Sequence, residues 1–75
     1  MKHIIHKPAT TYKVEMYHPN SMQKMGGYRP KNLAEARKLT REILKSGYDA
    51  DVSVYKKGKF VWKENPEDFA RLKQR

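Results

Sequence analysis

The segment from Asn32 to Gly47 carries signals for both ends of one helix, and it divides the chain into two strand-forming parts. Asn32 is a favourable N-cap, and Glu35 three residues later completes a capping-box-like pair. Apolar and small residues recur between them at helical spacing: Leu33, Ala36, Leu39, Thr40, Ile43 and Leu44. Gly47 can take the left-handed position after the last turn without steric cost. The pattern predicts a helix from about Leu33 to Ser46.

Four further segments have the character of half-buried strands. They are Thr10 to Tyr17, Met22 to Arg29, Asp49 to Tyr55 and Lys59 to Glu64. In the second of them, Gly26-Gly27 is expected to form a bulge or a loop. After the last, Asn65 and Pro66 supply the cap and first position of a short second helix. This order predicts an α+β fold, in which a small antiparallel sheet (β-β-α-β-β, with a short C-terminal helix) has one main helix packed across one face.

Length and cysteine content limit how such a fold is stabilised. The chain has 75 residues and no cysteine, so no disulfide or thiolate-bound zinc supplements a core that usually supplies about 3–5 kcal/mol at this size. We expect residues 10–75 to form a single domain and residues 1–9 to form a flexible basic arm. The absence of cysteine, of an apolar signal segment and of a membrane-length apolar run predicts a cytoplasmic location.

The turn between the last two strands decides whether the neighbouring aromatic residues are buried. A three-residue loop, Lys56-Lys57-Gly58, requires positive φ only at its glycine and packs Phe60 and Trp62 beneath the helix. A two-residue loop, Lys57-Gly58, also forces the lysine to positive φ. It would expose Tyr55, Phe60 and Trp62 together, as a platform on which bases could stack. Because lysine disfavours positive φ, the three-residue loop and a buried Trp62 are predicted.

The charge balance predicts the class of partner. Seventeen lysine and arginine residues face eight acidic residues, which gives a net charge of +9. Such a field favours anionic partners, either nucleic acid (DNA or RNA) or the acidic surface of another protein. No small-molecule substrate and no membrane contact is predicted, and the pattern does not fix an oligomeric state.

Nine basic residues are the candidate contacts with nucleic acid or another anionic partner. They lie on the arm, along one flank of the helix and at the hairpin tip: Lys2, Lys7, Arg37, Lys38, Arg41, Lys45, Lys56, Lys57 and Lys59. Like charges four residues apart destabilise a helix slightly, which favours a use for the helical set. The alternative is a solvated face diluted by Glu35–Lys38 and Lys38–Glu42 pairs. Lysine at a hairpin tip is likewise an ordinary protection against aggregation.

Catalytic and metal-binding patterns are weak in this chain. His3 and His6 have a spacing that could share a metal on a helix, but that segment lacks helix signals and a third ligand. No nucleophile, base and orienting group stand in a recognisable arrangement. Gly26-Gly27 is not followed by the Lys-Ser/Thr pair of a phosphate-binding loop. We therefore predict no enzyme activity, no cofactor and no metal.

Part of the chain resembles half of a SPOR-type peptidoglycan-binding repeat. The resemblance covers a strand at 12–16, an Asn-Leu-Ala-Glu-Ala helix start at 32–36, the Gly47-Tyr48 pair and a strand at 52–55. It implies a strand–helix–strand order. SPOR domains contain a second such unit, which this chain lacks, so their function is not carried over. Small size and basicity also resemble accessory proteins of phages and mobile elements.

These patterns predict a small, basic, non-catalytic binding domain. The leading hypothesis is contact with the phosphate backbone of nucleic acid at low sequence specificity. Neutralising four to six phosphates would give a plot of log K against log salt with a slope of about −4 to −5. The alternative is a protein-interaction module or inhibitor that docks on an acidic protein surface.

Overall fold

The computed structural model describes residues 10–71, and they form the predicted α+β fold. A four-stranded antiparallel sheet in the order β2-β1-β3-β4 carries two helices on one face. The elements are β1 Thr10–Tyr17, β2 Lys24–Tyr28, α1 Leu33–Lys45, β3 Asp49–Lys56, β4 Lys59–Glu64 and α2 Pro66–Arg71. The predicted arm at residues 1–9 lies outside the described residues.

Helix α1 begins and ends where its capping residues stand. The Asn32 side chain accepts a hydrogen bond from the Glu35 backbone N–H at 2.9 Å, as an N-cap does. The Glu35 carboxylate accepts from the Lys31 N–H, one residue before the expected partner. Gly47 has φ +91°, and the N–H of Tyr48 donates to the Ile43 carbonyl at 3.2 Å. This is a Schellman ending, so the helix ends at Lys45, one residue earlier than predicted.

The core lies between α1, α2 and the two central strands. Residues at alternate positions of β1 and β3 point toward the helices, because side chains alternate between the faces of a sheet. The buried cluster comprises Val14, Ala36, Ile43, Ala50, Val52 and Phe69. Phe69 places its ring 5.9 Å from that of Tyr12, which joins α2 to β1. Leu33, in the first turn, is exposed instead of belonging to the buried stripe, whose buried residues begin at Ala36 and extend to Ile43.

Strand β2 differs from its predicted form. It begins at Lys24, not at Met22, and Gly26 and Gly27 pair regularly with Met16 and Glu15. The strand has a bulge one residue before the two glycines. Gly26 pairs with Met16 and Lys24 pairs with Tyr17, which leaves Met25 as the additional residue. The predicted bulge in β2 is therefore present, but its additional residue is Met25 and not one of the two glycines. Within residues 10–71, neither helix is long and apolar enough to cross a membrane.

Candidate functional site

The hairpin between β3 and β4 has a two-residue turn. Lys56 pairs with Lys59, and both central residues have positive φ: +52° at Lys57 and +82° at Gly58. Two positive φ values are what a type I′ turn requires, and its twist matches that of the flanking strands. The predicted three-residue loop was wrong, because strand twist and Gly58 outweigh the strain of one lysine at positive φ.

A bulge in β4 then changes which way its side chains point. Tyr55 pairs with Phe60, but Val54 pairs with Trp62, so Val61 is an additional residue on β4. Phe60 consequently lies with Tyr55 on the face without helices, and Trp62 lies with Val54 on the helix-bearing face. Both arrangements considered from the sequence placed Phe60 and Trp62 on the same face of the sheet, whereas the bulge places them on opposite faces.

Trp62 and Phe60 are exposed, which contradicts their predicted burial. Their exposed fractions are 43% and 53%. The physical reason is the position of the helix layer. Helix α1 packs over β1 and β3, and α2 packs against α1 and β3, so neither helix covers the edge strand β4.

Both rings are held by contacts that leave them accessible. The indole N–H of Trp62 donates to the Glu64 carboxylate at 2.9 Å, and the Lys56 ammonium lies 5.2 Å from the ring centroid. The Tyr55 and Phe60 rings meet nearly edge to face at 5.9 Å. These contacts orient the rings without burying them.

The lysines of the turn are not neutralised by acids within the described part of the chain. Lys56, Lys57 and Lys59 form no salt bridge with any residue of 10–71. Most of the acids lie toward the other end of the sheet, where β3 and α2 begin. Five of the chain's eight acidic residues are there: Asp49, Asp51, Glu64, Glu67 and Asp68. The hairpin tip is therefore a cationic end of a polarised sheet.

Other lysines of the sheet are occupied by carboxylates on the face without helices. Lys63 lies 3.1 Å from Asp51, and this partner raises the pKa of the lysine. Glu15 contacts Lys24 at 2.8 Å and Lys13 at 3.5 Å. The hydrogen bond from Lys24 lowers the pKa of Glu15 despite partial burial. These lysines are less available to an external anion than those of the tip.

The helical candidates do not form one free ridge. The Arg41 guanidinium donates to the Ala70 carbonyl at 3.0 Å and so ties α1 to α2. Arg37 is half-buried, whereas Lys38 and Lys45 are exposed. The two acid–lysine pairs expected to dilute this face do not reach 4.0 Å within residues 10–71.

The structure separates the end of the helix from the hairpin tip. Three residues separate Lys45 from β3, and the eight residues of β3 from Asp49 to Lys56 extend over about 23 Å. Lys2 and Lys7 lie outside the described residues. The chain nevertheless enters β1 at Thr10, which pairs directly with Lys56. The described chain therefore starts at the same end of the sheet as the tip.

Phe60 and Trp62 are the residues that the predicted site omitted. The signal was present in the sequence, as aromatic residues between lysines, but the choice of loop assigned them to the core. Within residues 10–71, no group of three His, Cys, Asp or Glu side chains is placed to hold a metal ion. Searches of protein-family models, curated proteins and solved structures found no match to this chain.

Proposed function

We propose that this protein is a non-catalytic binding domain that contacts the phosphate backbone of nucleic acid through its β3–β4 hairpin, with low sequence specificity. The observation that carries the proposal is the hairpin tip, where Lys56, Lys57 and Lys59 flank or form a type I′ turn and make no salt bridge with any residue of 10–71. Ammonium groups on a tight turn can meet successive phosphates while reading no base edge.

The remaining candidates take secondary positions in this proposal. Lys2 and Lys7 belong to the segment that leads into Thr10, beside the tip, and would add phosphate contacts there. Lys38 and Lys45 would contribute to the long-range field, because Lys45 stands at the other end of the sheet. Arg41 supports the helix pair through the Ala70 carbonyl.

The test measures affinity for a random-sequence DNA across a series of salt concentrations. The double variant Lys57→Ala/Lys59→Ala is expected to bind more weakly and to reduce the steepness of the log K against log salt plot by about 2. The matched control is Lys38→Ala/Lys45→Ala, which removes the same charge from the helix. An equal loss in both variants would show a general charge effect and contradict the tip as the site.

A second candidate function, docking on an acidic protein, is favoured by three consecutive exposed apolar residues on β4. Phe60, Val61 and Trp62 stand beside the cationic tip, and tryptophan is a frequent anchor of protein interfaces. A pull-down from nuclease-treated lysate separates the two functions. A stoichiometric protein that remains bound and is lost in Trp62→Ala would support this candidate.

A further inference from the structure

Phe60 and Trp62 give the hairpin a second means of binding that phosphate contact does not use. Both rings lie on an edge strand that no helix covers, the Lys56 ammonium lies over Trp62, and Phe60 follows Lys59 directly in the strand. Exposed aromatic rings beside cations are the chemistry by which proteins hold unpaired bases.

From this arrangement we infer that the hairpin selects single-stranded nucleic acid, with one base stacked on Phe60 and another on Trp62. The inference rests on the proposed function, since the tip lysines supply the phosphate contacts. Duplex bases are already stacked on one another, so only an unpaired strand can offer its base faces to these rings.

The contacts of the two rings reduce the entropy lost on binding. Trp62 is oriented by Glu64, and Phe60 is oriented by the edge-to-face contact with Tyr55. Side chains that are already ordered lose less conformational freedom when a ligand arrives. The bulge at Val61 places the rings on opposite faces of β4, so a strand that crosses this edge can place one base on each side.

The same bulge disfavours the other occupants of an edge strand. An added peptide strand needs a regular row of backbone N–H and C=O groups, which a bulge interrupts. A second copy of this chain would meet the same interrupted row, and the net charge of +9 on each copy opposes their association. An anionic strand that uses side-chain faces instead of backbone hydrogen bonds meets neither obstacle.

Direct binding measurements test the inference. Anisotropy of labelled oligothymidine is compared with that of a duplex of equal length at the same salt concentration, and the emission of Trp62, the chain's one tryptophan, is followed in parallel. We expect tighter binding of oligothymidine and quenching of Trp62 by it. Inorganic polyphosphate, which has charge but no bases, should bind without quenching.

Variants distinguish stacking from charge. Phe60→Leu and Trp62→Leu keep apolar bulk at exposed positions and are each expected to weaken oligothymidine binding by about five- to 100-fold. Their salt slope should stay unchanged, because no phosphate contact is removed. Tyr28→Leu, an exposed aromatic on the opposite edge strand, is the matched control and should bind as the unaltered protein does.

The outcomes separate this inference from the function on which it rests. Equal affinity for oligothymidine and duplex, with unchanged binding by both leucine variants and weaker binding by Lys57→Ala/Lys59→Ala, would overturn stacking and retain phosphate binding. Quenching by polyphosphate as strong as that by oligothymidine would also overturn stacking. Failure to bind any nucleic acid at low salt would remove the proposed function itself.

Discussion

Lys57 is subject to two requirements that act in opposite directions. As a turn residue it occupies φ +52°, a region in which a side chain with a Cβ atom is strained. As a tip residue it is one of the three lysines that the proposed function uses. The strain lies in the same four residues as the proposed contact, a coincidence frequent at functional sites.

Replacing Lys57 with asparagine should separate the two requirements. Asparagine followed by glycine is the preferred type I′ pair, so we expect Lys57→Asn to raise the free energy of unfolding by about 0.5–1 kcal/mol. It should at the same time weaken nucleic-acid binding and lower the salt slope by about 1. Urea denaturation and anisotropy measure the two effects. Lys57→Ala is the control, because alanine loses the charge without favouring positive φ. A stability loss in Lys57→Asn would contradict the turn assignment.

At the scale of single elements, predictability follows how local the determining forces are. Helix α1 was predictable because Asn32 and Gly47 fix its ends within a few residues. The register of β4 was not, since strand twist and the bulge at Val61 decide it together. The exposure of Trp62 was still less predictable, because it depends on which strands the helices cover. The sequence therefore predicted the lysines of the proposed site and assigned its two aromatic residues to the core.

Deleting Val61 is a direct test of this register. Without that residue, Trp62 still pairs with Val54 and Phe60 with Tyr55, and β4 becomes a regular strand. We expect the shortened chain to keep its fold and its stability to within about 1 kcal/mol. Its outer edge becomes regular, so self-association should increase, as measured by sedimentation velocity. Val61→Ala retains the bulge and serves as the control. Loss of folding on deletion would show that the bulge is not where the pairing places it.

On the scale of the whole molecule, the ion pair between Glu15 and Lys24 makes the stability of the fold depend on pH. Lys24 lowers the pKa of Glu15, so the folded state holds the Glu15 carboxylate ionised more strongly than the unfolded state does. The resulting stabilisation is complete above the unfolded pKa of about 4.3 and is lost as the pH falls through the lower folded value.

Thermal unfolding between pH 6 and pH 2.5 measures this contribution. The melting temperature should fall on acidification, and it should fall less in Glu15→Gln, which has no carboxylate to protonate. Glu35→Gln is the matched control, because it also removes one carboxylate, while the amide oxygen of glutamine can still accept from the Lys31 N–H. Parallel pH profiles of Glu15→Gln and the unaltered protein would contradict the role of the Glu15–Lys24 pair.

The central pairing of β1 with β3 also has a consequence for the order of folding. Each of the two hairpins, β1–β2 and β3–β4, closes over a short loop, whereas β1 and β3 are joined through β2 and α1. Loop closure over that distance is entropically unfavourable, so long-range pairing sets the folding rate of such sheets. The two hairpins and α1 are therefore expected to form first and to dock in the rate-limiting step. Destabilising changes at the tip of β3–β4 should therefore slow folding with little effect on the unfolding rate, because the tip is already formed in that step. Changes at the β1–β3 seam, which forms during that step, should alter both rates.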